Sequence, residues 1–226
     1  MRRPLLLLAL ALPTGALAAP VLHQFKTVAI SPDGQHVAAV ENDDLVSDTA
    51  PPRALVIHDL SGASRTIALP CAAGPNCKVA SPTWSSDGRH LAFLVAHDTD
   101  NTADIEQLDL GQGTAATAAP RRLLSFDGPL DSLRYGPGDR LAVLATADAH
   151  KHVGRTEAAA PQTGEIGSGT DEQRIAVLDG ASLRFVSPAD LYVYEFDWRP
   201  DGGFVGTAAH GDGDANWWVA RLYAFD

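Results

Sequence analysis

Cationic side chains are scarce in this sequence: 17 Lys and Arg stand against 28 Asp and Glu, a formal net charge of −11 at pH 7. That deficit excludes nucleic acid as a partner by charge and disfavours anionic lipid, since both would be repelled. Helical hydrophobic periodicity is missing beyond the first twenty residues. So is any later apolar stretch of the about 20 residues needed to span a bilayer. A Gly-x-Ser-x-Gly nucleophile elbow is absent, because Gly62-Ala63-Ser64, Gly180-Ala181-Ser182 and Gly167-Ser168-Gly169 all fail the pattern. What is present is a chain that is 45% hydrophobic with mean hydropathy −0.05, able to bury a core as one large or two small domains.

The N-terminus reads as an export address. Arg2 and Arg3 make a short positive region, Leu5 to Leu12 an apolar run, and Ala16-Leu17-Ala18 a small-residue site, which predicts a signal peptide over residues 1–18 with cleavage after Ala18. Pro13 and Gly15 interrupt the apolar run well short of a membrane anchor. The mature chain, 19–226, is therefore expected in the periplasm or outside the cell, with no membrane span after cleavage.

Export gives meaning to the two cysteines, Cys71 and Cys77, which flank the turn-forming stretch Ala-Ala-Gly-Pro-Asn. In an oxidising compartment two nearby thiols without a third competitor are expected to pair. A structural metal site would need a second ligand pair, and a redox-active pair would have the C-x-x-C spacing. No metal and no cofactor are assigned.

One phrase recurs along the chain. Ile30-Ser31-Pro32-Asp33-Gly34-Gln35-His36-Val37-Ala38 returns as Trp84-Ser85-Ser86-Asp87-Gly88-Arg89-His90-Leu91-Ala92, then more loosely as Tyr135-Gly136-Pro137-Gly138-Asp139-Arg140-Leu141-Ala142 and Trp198-Arg199-Pro200-Asp201-Gly202-Gly203-Phe204-Val205. In each an apolar or aromatic residue ends one strand, a Pro/Asp/Gly turn reverses the chain and an apolar run opens the next, which is a hairpin. Each hairpin is followed by an apolar strand ending near an acid: Leu55 to Asp59, Ile105 to Asp109, Ile175 to Asp179 and Val219 to Asp226. In the first three units a fourth strand follows, over Arg65 to Leu69, Arg121 to Ser125 and Leu183 to Val186.

Four antiparallel strands at a period of about 50 residues describe the blade of a β-propeller; a sandwich would not repeat one Asp-Gly hairpin at so long a period. The units span approximately 21–70, 78–126, 130–187 and 190–226, the last incomplete. The expected fold is all-β, about four recognisable four-stranded blades forming an incomplete arc of a larger propeller. A closed four-blade ring would require residues 21–25 to supply the missing strand.

The Ser-Pro-Asp-Gly hairpin followed by Val-Ala or Leu-Ala-Phe, with its later Leu-x-x-x-Asp strand, resembles the repeats of TolB-like and peptidase-associated propellers. Together with the signal, Pro82 to Gly88 and Asp190 to Trp198, it most resembles the N-terminal propeller of exported bacterial serine peptidases of the prolyl oligopeptidase family. The resemblance implies a propeller that sits over a C-terminal α/β-hydrolase domain and admits short peptides to it. That domain carries the catalytic triad and is not in this chain, so no catalytic residue is carried over. The partner implied is a peptide substrate; the other reading is a free-standing periplasmic TolB-like propeller that binds a protein.

A few residues invite a sharper reading. Ala147 to Gln173 interrupts the third unit, and loops of this kind line propeller entrances. In dipeptidyl peptidases of the resembled family paired acids hold the substrate's amino terminus, which makes Asp171 and Glu172 candidate substrate-binding residues; the plainer reading is a solvated pair ahead of a strand, whose side chains diverge. His150-Lys151-His152 has no nearby partners to complete a metal shell. Asp98 to Asp104 departs from a calcium loop at Ala103, where the turn needs Gly, and at Asp109, where a Glu is needed. His210 to Asn216 reads as a hairpin turn before a strand holding Trp217 and Trp218 on opposite faces, while Trp84 and Trp198 should pack between blades.

Overall fold

A computed structural model describes residues 23–42, 53–69, 77–97, 100–111, 119–147, 149, 171–211 and 213–226. Its strands form four antiparallel sheets in which spatial order follows chain order. The first sheet comprises β1 (Gln24–Ile30), β2 (His36–Asn42), β3 (Ala54–Asp59) and β4 (Ser64–Ile67), and the second β5 (Cys77–Trp84), β6 (His90–His97), β7 (Thr102–Asp109) and β8 (Arg121–Asp127). The third holds β9 (Leu130–Tyr135), β10 (Leu141–Thr146), β11 (Gln173–Asp179) and β12 (Ser182–Phe185). The fourth holds β13 (Leu191–Trp198), β14 (Phe204–His210) and β15 (Arg221–Phe225). The first strands of successive sheets lie against one another, β1 on β5, β5 on β9 and β9 on β13. These are the blades of an incomplete propeller.

The repeated phrase makes a repeated hydrogen-bond circuit. In blade 1 the Ser31 hydroxyl donates to Asp33 Oδ1 at 2.6 Å, the amide of Gln35 donates to the same oxygen at 3.0 Å, and the amide of His36 donates to Ser31 Oγ at 2.9 Å. Blade 2 reproduces each bond with Ser85, Asp87, Arg89 and His90, at 2.7, 3.0 and 2.9 Å. The glycine of each turn has positive φ, 70° at Gly34 and 69° at Gly88, a conformation that side chains resist. These bonds hold the Asp33 carboxyl below the usual range, the Ser31 hydroxyl contributing most, and the Asp87 carboxyl likewise, led by the amide of Arg89.

Three apolar layers lie between the four sheets. Val40, Leu55 and Ile57 of blade 1 meet Val79, Trp84, Leu91 and Phe93 of blade 2. Leu94 and Ile105 meet Leu133 and Val143 in the next layer, and Leu144 and Ile175 meet Val193, Phe196 and Phe204 in the last. Trp84 is 7% exposed and its indole N–H donates to the Ala29 carbonyl of blade 1 at 3.0 Å. Trp198 repeats the device at the interface of blades 3 and 4, donating to the Arg134 carbonyl of blade 3 at 3.3 Å. Both tryptophans pack between blades as the repeat predicts, burying about 150–250 Å² each.

One expectation fails at the last sheet. Trp217 and Trp218 are not in a strand: Gly213–Asn216 forms a short helix, α1, and Trp217–Val219 a 3-10 turn, so β15 starts only at Arg221, opposite Ala208. The Tyr194 hydroxyl donating to the Gly213 carbonyl at 2.6 Å, and Asn216 Nδ2 donating to the His210 carbonyl at 2.8 Å, hold this coiled connection. Residues 24 and 25, which a closed four-blade ring would have needed for its missing strand, pair with Asn42 and Glu41 inside blade 1, as an incomplete arc requires.

Candidate functional site

The propeller topology separates two ends. The hairpin turns join first to second strands at one end, and at the other the second strands finish and the third strands begin, at Asn42 and Ala54, His97 and Thr102, Thr146 and Gln173, and His210 and Arg221. Each end carries a cluster of side chains that packing alone does not require.

At the hairpin end a groove of about 380 Å³ crosses blades 2, 3 and 4, walled by Trp84, Tyr135, Pro137, Trp198 and Pro200 with Arg199 beside them. The Arg140 guanidinium stands 4.8 Å from the Trp198 ring centroid and donates to the Gly202 carbonyl at 3.1 Å, tying the third and fourth hairpins together. The amide of Ser86 donates to Asp139 Oδ1 at 2.8 Å, tying the second and third. Gln107 Nε2 donates to the Tyr135 hydroxyl at 2.7 Å, and burial pushes the Tyr135 phenol up. The groove is thus walled chiefly by aromatic and proline side chains.

The loop end is acidic and buried. Asp104 and Glu106 alternate along β7 opposite Val95 and Phe93, on the face turned to blade 1, with side chains only 2% and 1% exposed. Arg122 of β8 reaches both, at 2.8 Å to Asp104 and 3.2 Å to Glu106, and His97 Nε2 lies 2.9 Å from Asp104. Burial pushes the Glu106 carboxyl up against the pull of Arg122. In blade 1, Glu41 is gripped by His23 at 2.8 Å and by His58. Buried carboxylates require such partners, because an unpaired one costs several kcal/mol.

Asp171 and Glu172 lie at this same end, half-buried and directly ahead of β11. They are not joined to the Asp104 and Glu106 cluster, which belongs to the neighbouring blade. The next residue, Gln173, donates from Nε2 to the Val193 carbonyl at 2.8 Å, so the start of β11 is pinned to blade 4. Cys77 opens β5 and is buried, and no described cysteine is free; Cys71 lies outside the described residues, as do His150, Lys151 and His152. Asp104, the last position of the calcium-loop look-alike, is engaged by His97 and Arg122. Among the described residues no group of three or more His, Cys, Asp or Glu is arranged to hold a metal ion.

Sequence reasoning weighed Asp104 only within a calcium-loop look-alike and passed over its pairing with Glu106 and Arg122. Their signal was there: two acids at alternate positions inside an apolar strand face one side of the sheet and demand a cation on the next strand. The hairpin-end groove had a signal too, in the aromatic residue that closes the first strand of units two, three and four.

The sequence model of one protein family, the Lipoprotein LpqB beta-propeller domain, matches residues 14–161. No curated protein matches the sequence. Among solved structures the chain is similar to a puromycin-hydrolyzing peptidase of Mycobacterium tuberculosis, at 20% identity and a TM-score of 0.57, covering 90% of this chain and 30% of that one. It is similar to prolyl oligopeptidase B of Galerina marginata at 12% identity and a TM-score of 0.57, covering 88% and 26%. An oligogalacturonate lyase of Vibrio parahaemolyticus superposes with 15% identity and a TM-score of 0.54 over 89% of this chain and 50% of that one. At such identities the likeness is one of fold, and the chain spans half or less of the length of each.

Proposed function

Since the chain belongs to the family of the Lipoprotein LpqB beta-propeller domain, we propose that it is an exported propeller that receives peptide substrates for a serine peptidase of the prolyl oligopeptidase family, the hydrolase domain lying outside these 226 residues. The observation that carries this reading is the extent of the shared fold: 90% of this chain superposes on 30% of a puromycin-hydrolyzing peptidase. The four hairpin repeats, three of them with Asp-Gly turns, and the N-terminal signal read from the sequence support it. Export, with cleavage after Ala18, places Cys71 and Cys77 in an oxidising compartment, where they form a bridge closing a short loop; the absence of a free cysteine among the described residues supports that bridge. Asp171 and Glu172, at the loop end, are the residues offered to a substrate ammonium group.

On this reading the 226-residue chain binds short peptides and does not cleave them. Titration calorimetry with unblocked and N-acetylated peptides tests it: unblocked peptides should bind more tightly, and an Asp171→Asn, Glu172→Gln variant should erase the difference. Equal binding of both peptides, or hydrolysis of a dipeptidyl reporter together with labelling by a serine-directed probe, overturns it.

A second reading, a free-standing periplasmic module that binds a protein, is favoured by the groove of Trp84, Tyr135 and Trp198 at the opposite end. Competition by a Trp198→Ala variant separates the two, because this groove is remote in the topology from Asp171.

A further inference from the structure

The face that blade 2 turns to blade 1 carries a second alignment beside its paired carboxylates. Cys77 opens β5 directly opposite His97 of β6, and residues opposed in this way project to one face with Cβ atoms about 4.5–5.5 Å apart. That face is the one toward blade 1, since Cys77 packs with Val79, Phe93 and Val95 against Val40 and Leu55. Beyond His97, its Nε2 lies 2.9 Å from Asp104 Oδ2 of β7. Three adjacent strands thus set a sulfur, an imidazole and a carboxylate side by side, with the imidazole in the middle.

Asp104 decides which nitrogen is engaged: with Nε2–H donating to the carboxylate, Nδ1 keeps the lone pair that can accept a thiol proton. Arg53 brings a cation from blade 1, its Nη1 donating to the Val79 carbonyl at 3.5 Å, two residues along β5 from Cys77. The acids on this face, Asp104 and Glu106, both stand on β7, on the far side of His97, where Arg122 engages them. A sulfur set between a cation and a base has its thiol pKa lowered and, when it is half of a disulfide, leaves faster. The interval between Cys71 and Cys77 carries no such signal, being longer than Cys-x-x-Cys; the activation comes from across the sheet.

We propose that Cys77 and Cys71 form a thiol–disulfide exchange site, with Cys77 as the leaving thiolate and His97, oriented by Asp104, as its acid–base partner. The inference rests on the pairing of the two cysteines proposed above, and its co-reactant is a dithiol. One thiolate of the dithiol attacks the Cys71 sulfur, and the electron pair of the broken S–S bond leaves on the Cys77 sulfur, opposite the His97 ring. The second thiolate of the dithiol then attacks the mixed disulfide, closes its own disulfide and releases Cys71. Two electrons pass to the chain, and the two protons given up by the oxidised dithiol balance the two thiols formed.

The mature chain tests this with dithiothreitol as the dithiol and iodoacetamide as the alkylator. In the reduced wild type, the alkylation rate of each cysteine is followed against pH by peptide mass spectrometry. Cys77 is expected to titrate about one unit or more below the ordinary thiol value of about 8.5. His97→Gln should return that midpoint to the ordinary range and slow the reduction of the oxidised chain by dithiothreitol about threefold to tenfold. Asp104→Asn should move both readings the same way by less. Loosened packing alone would change the alkylation rate at every pH and leave the midpoint where it was. Circular dichroism checks the fold of each variant, and the wild-type profile needs no variant to fold. A paired chain whose Cys77 titrates in the ordinary range, or whose midpoint and reduction rate ignore His97→Gln, overturns the proposal alone. Exported material that carries two thiols overturns the pairing, and the exchange site with it.

Discussion

The Trp198 ring lies flat against Gly136, so close that a β-carbon on the glycine would stand 2.2 Å from the indole. Blade 4 thus meets blade 3 through a glycine in the first hairpin turn of blade 3, where the repeat has lost one residue. Gly136→Ala is expected to push the indole out of its seat and lower stability by about 1–3 kcal/mol, as overpacking does. Denaturant melts of the variant check this. Gly138→Ala, at a neighbouring glycine where a β-carbon would meet nothing within 4 Å but φ is 69°, reports the cost of backbone strain alone.

Arg122 is the shared cation of two buried carboxylates. Its own side chain is half exposed, which discounts the loss, and Arg122→Ala is expected to destabilise the fold by about 1–3 kcal/mol. Adding Asp104→Asn and Glu106→Gln should recover part of that, because the remaining groups no longer carry charge. A double-mutant cycle read by chemical denaturation would detect the coupling; simple additivity would count against it.

Acid should act on the hairpins and on Glu106 in opposite directions. Asp33 and Asp87 have carboxyls held below their ordinary value of 3.8, so their contribution to stability is present above that value and drains away as pH falls through the lowered one. Glu106 is raised above 4.5, so protonation favours the fold and its contribution is lost as pH rises past that value. Stability measured from about pH 2 to about pH 7 in an Asp33→Asn, Asp87→Asn variant should therefore show a shallower acid limb than the wild type. A Glu106→Gln variant should gain relative to wild type toward neutral pH.

The proposed pairing of Cys71 with Cys77 predicts that exported material lacks the mass of two hydrogens relative to the reduced chain and resists alkylation until reductant is added. Intact-mass measurement before and after reduction reads this directly. Cys77 is buried at the start of β5, so a chain made under reducing conditions should lose order first around residue 77, visible as faster amide exchange there.

Much of the architecture was legible in the sequence because the Asp-Gly turn is a local device: Ser, Asp and Gly within a few residues specify their own hydrogen bonds, and the period between copies then counts the blades. Trp84 and Trp198 were legible for the same reason, as equivalent positions in a repeat. Local rules failed at Trp217 and Trp218, where an apolar run looks like a strand but pairing begins only where β14 offers a partner, opposite Arg221. They failed again at the loop end, since the partnership of Asp104 with Arg122 depends on strand register, which no single stretch of sequence displays. Asp171 and Glu172 stand out as neighbours in sequence, yet the tighter acid pair is the alternating one on β7.

Strand order within every sheet follows chain order, β1-β2-β3-β4 and so on around the arc. No strand therefore waits for a residue outside its own unit to complete its backbone pairing, and the contacts that form a blade are short in sequence. Such a chain can acquire its structure one unit at a time as it emerges, with low loop-closure entropy at each step, and only the burial of a blade's face is deferred until the next blade arrives. The newest blade is always the one with an uncovered apolar face, so the growing tip is where a holding chaperone would find its hydrophobic target.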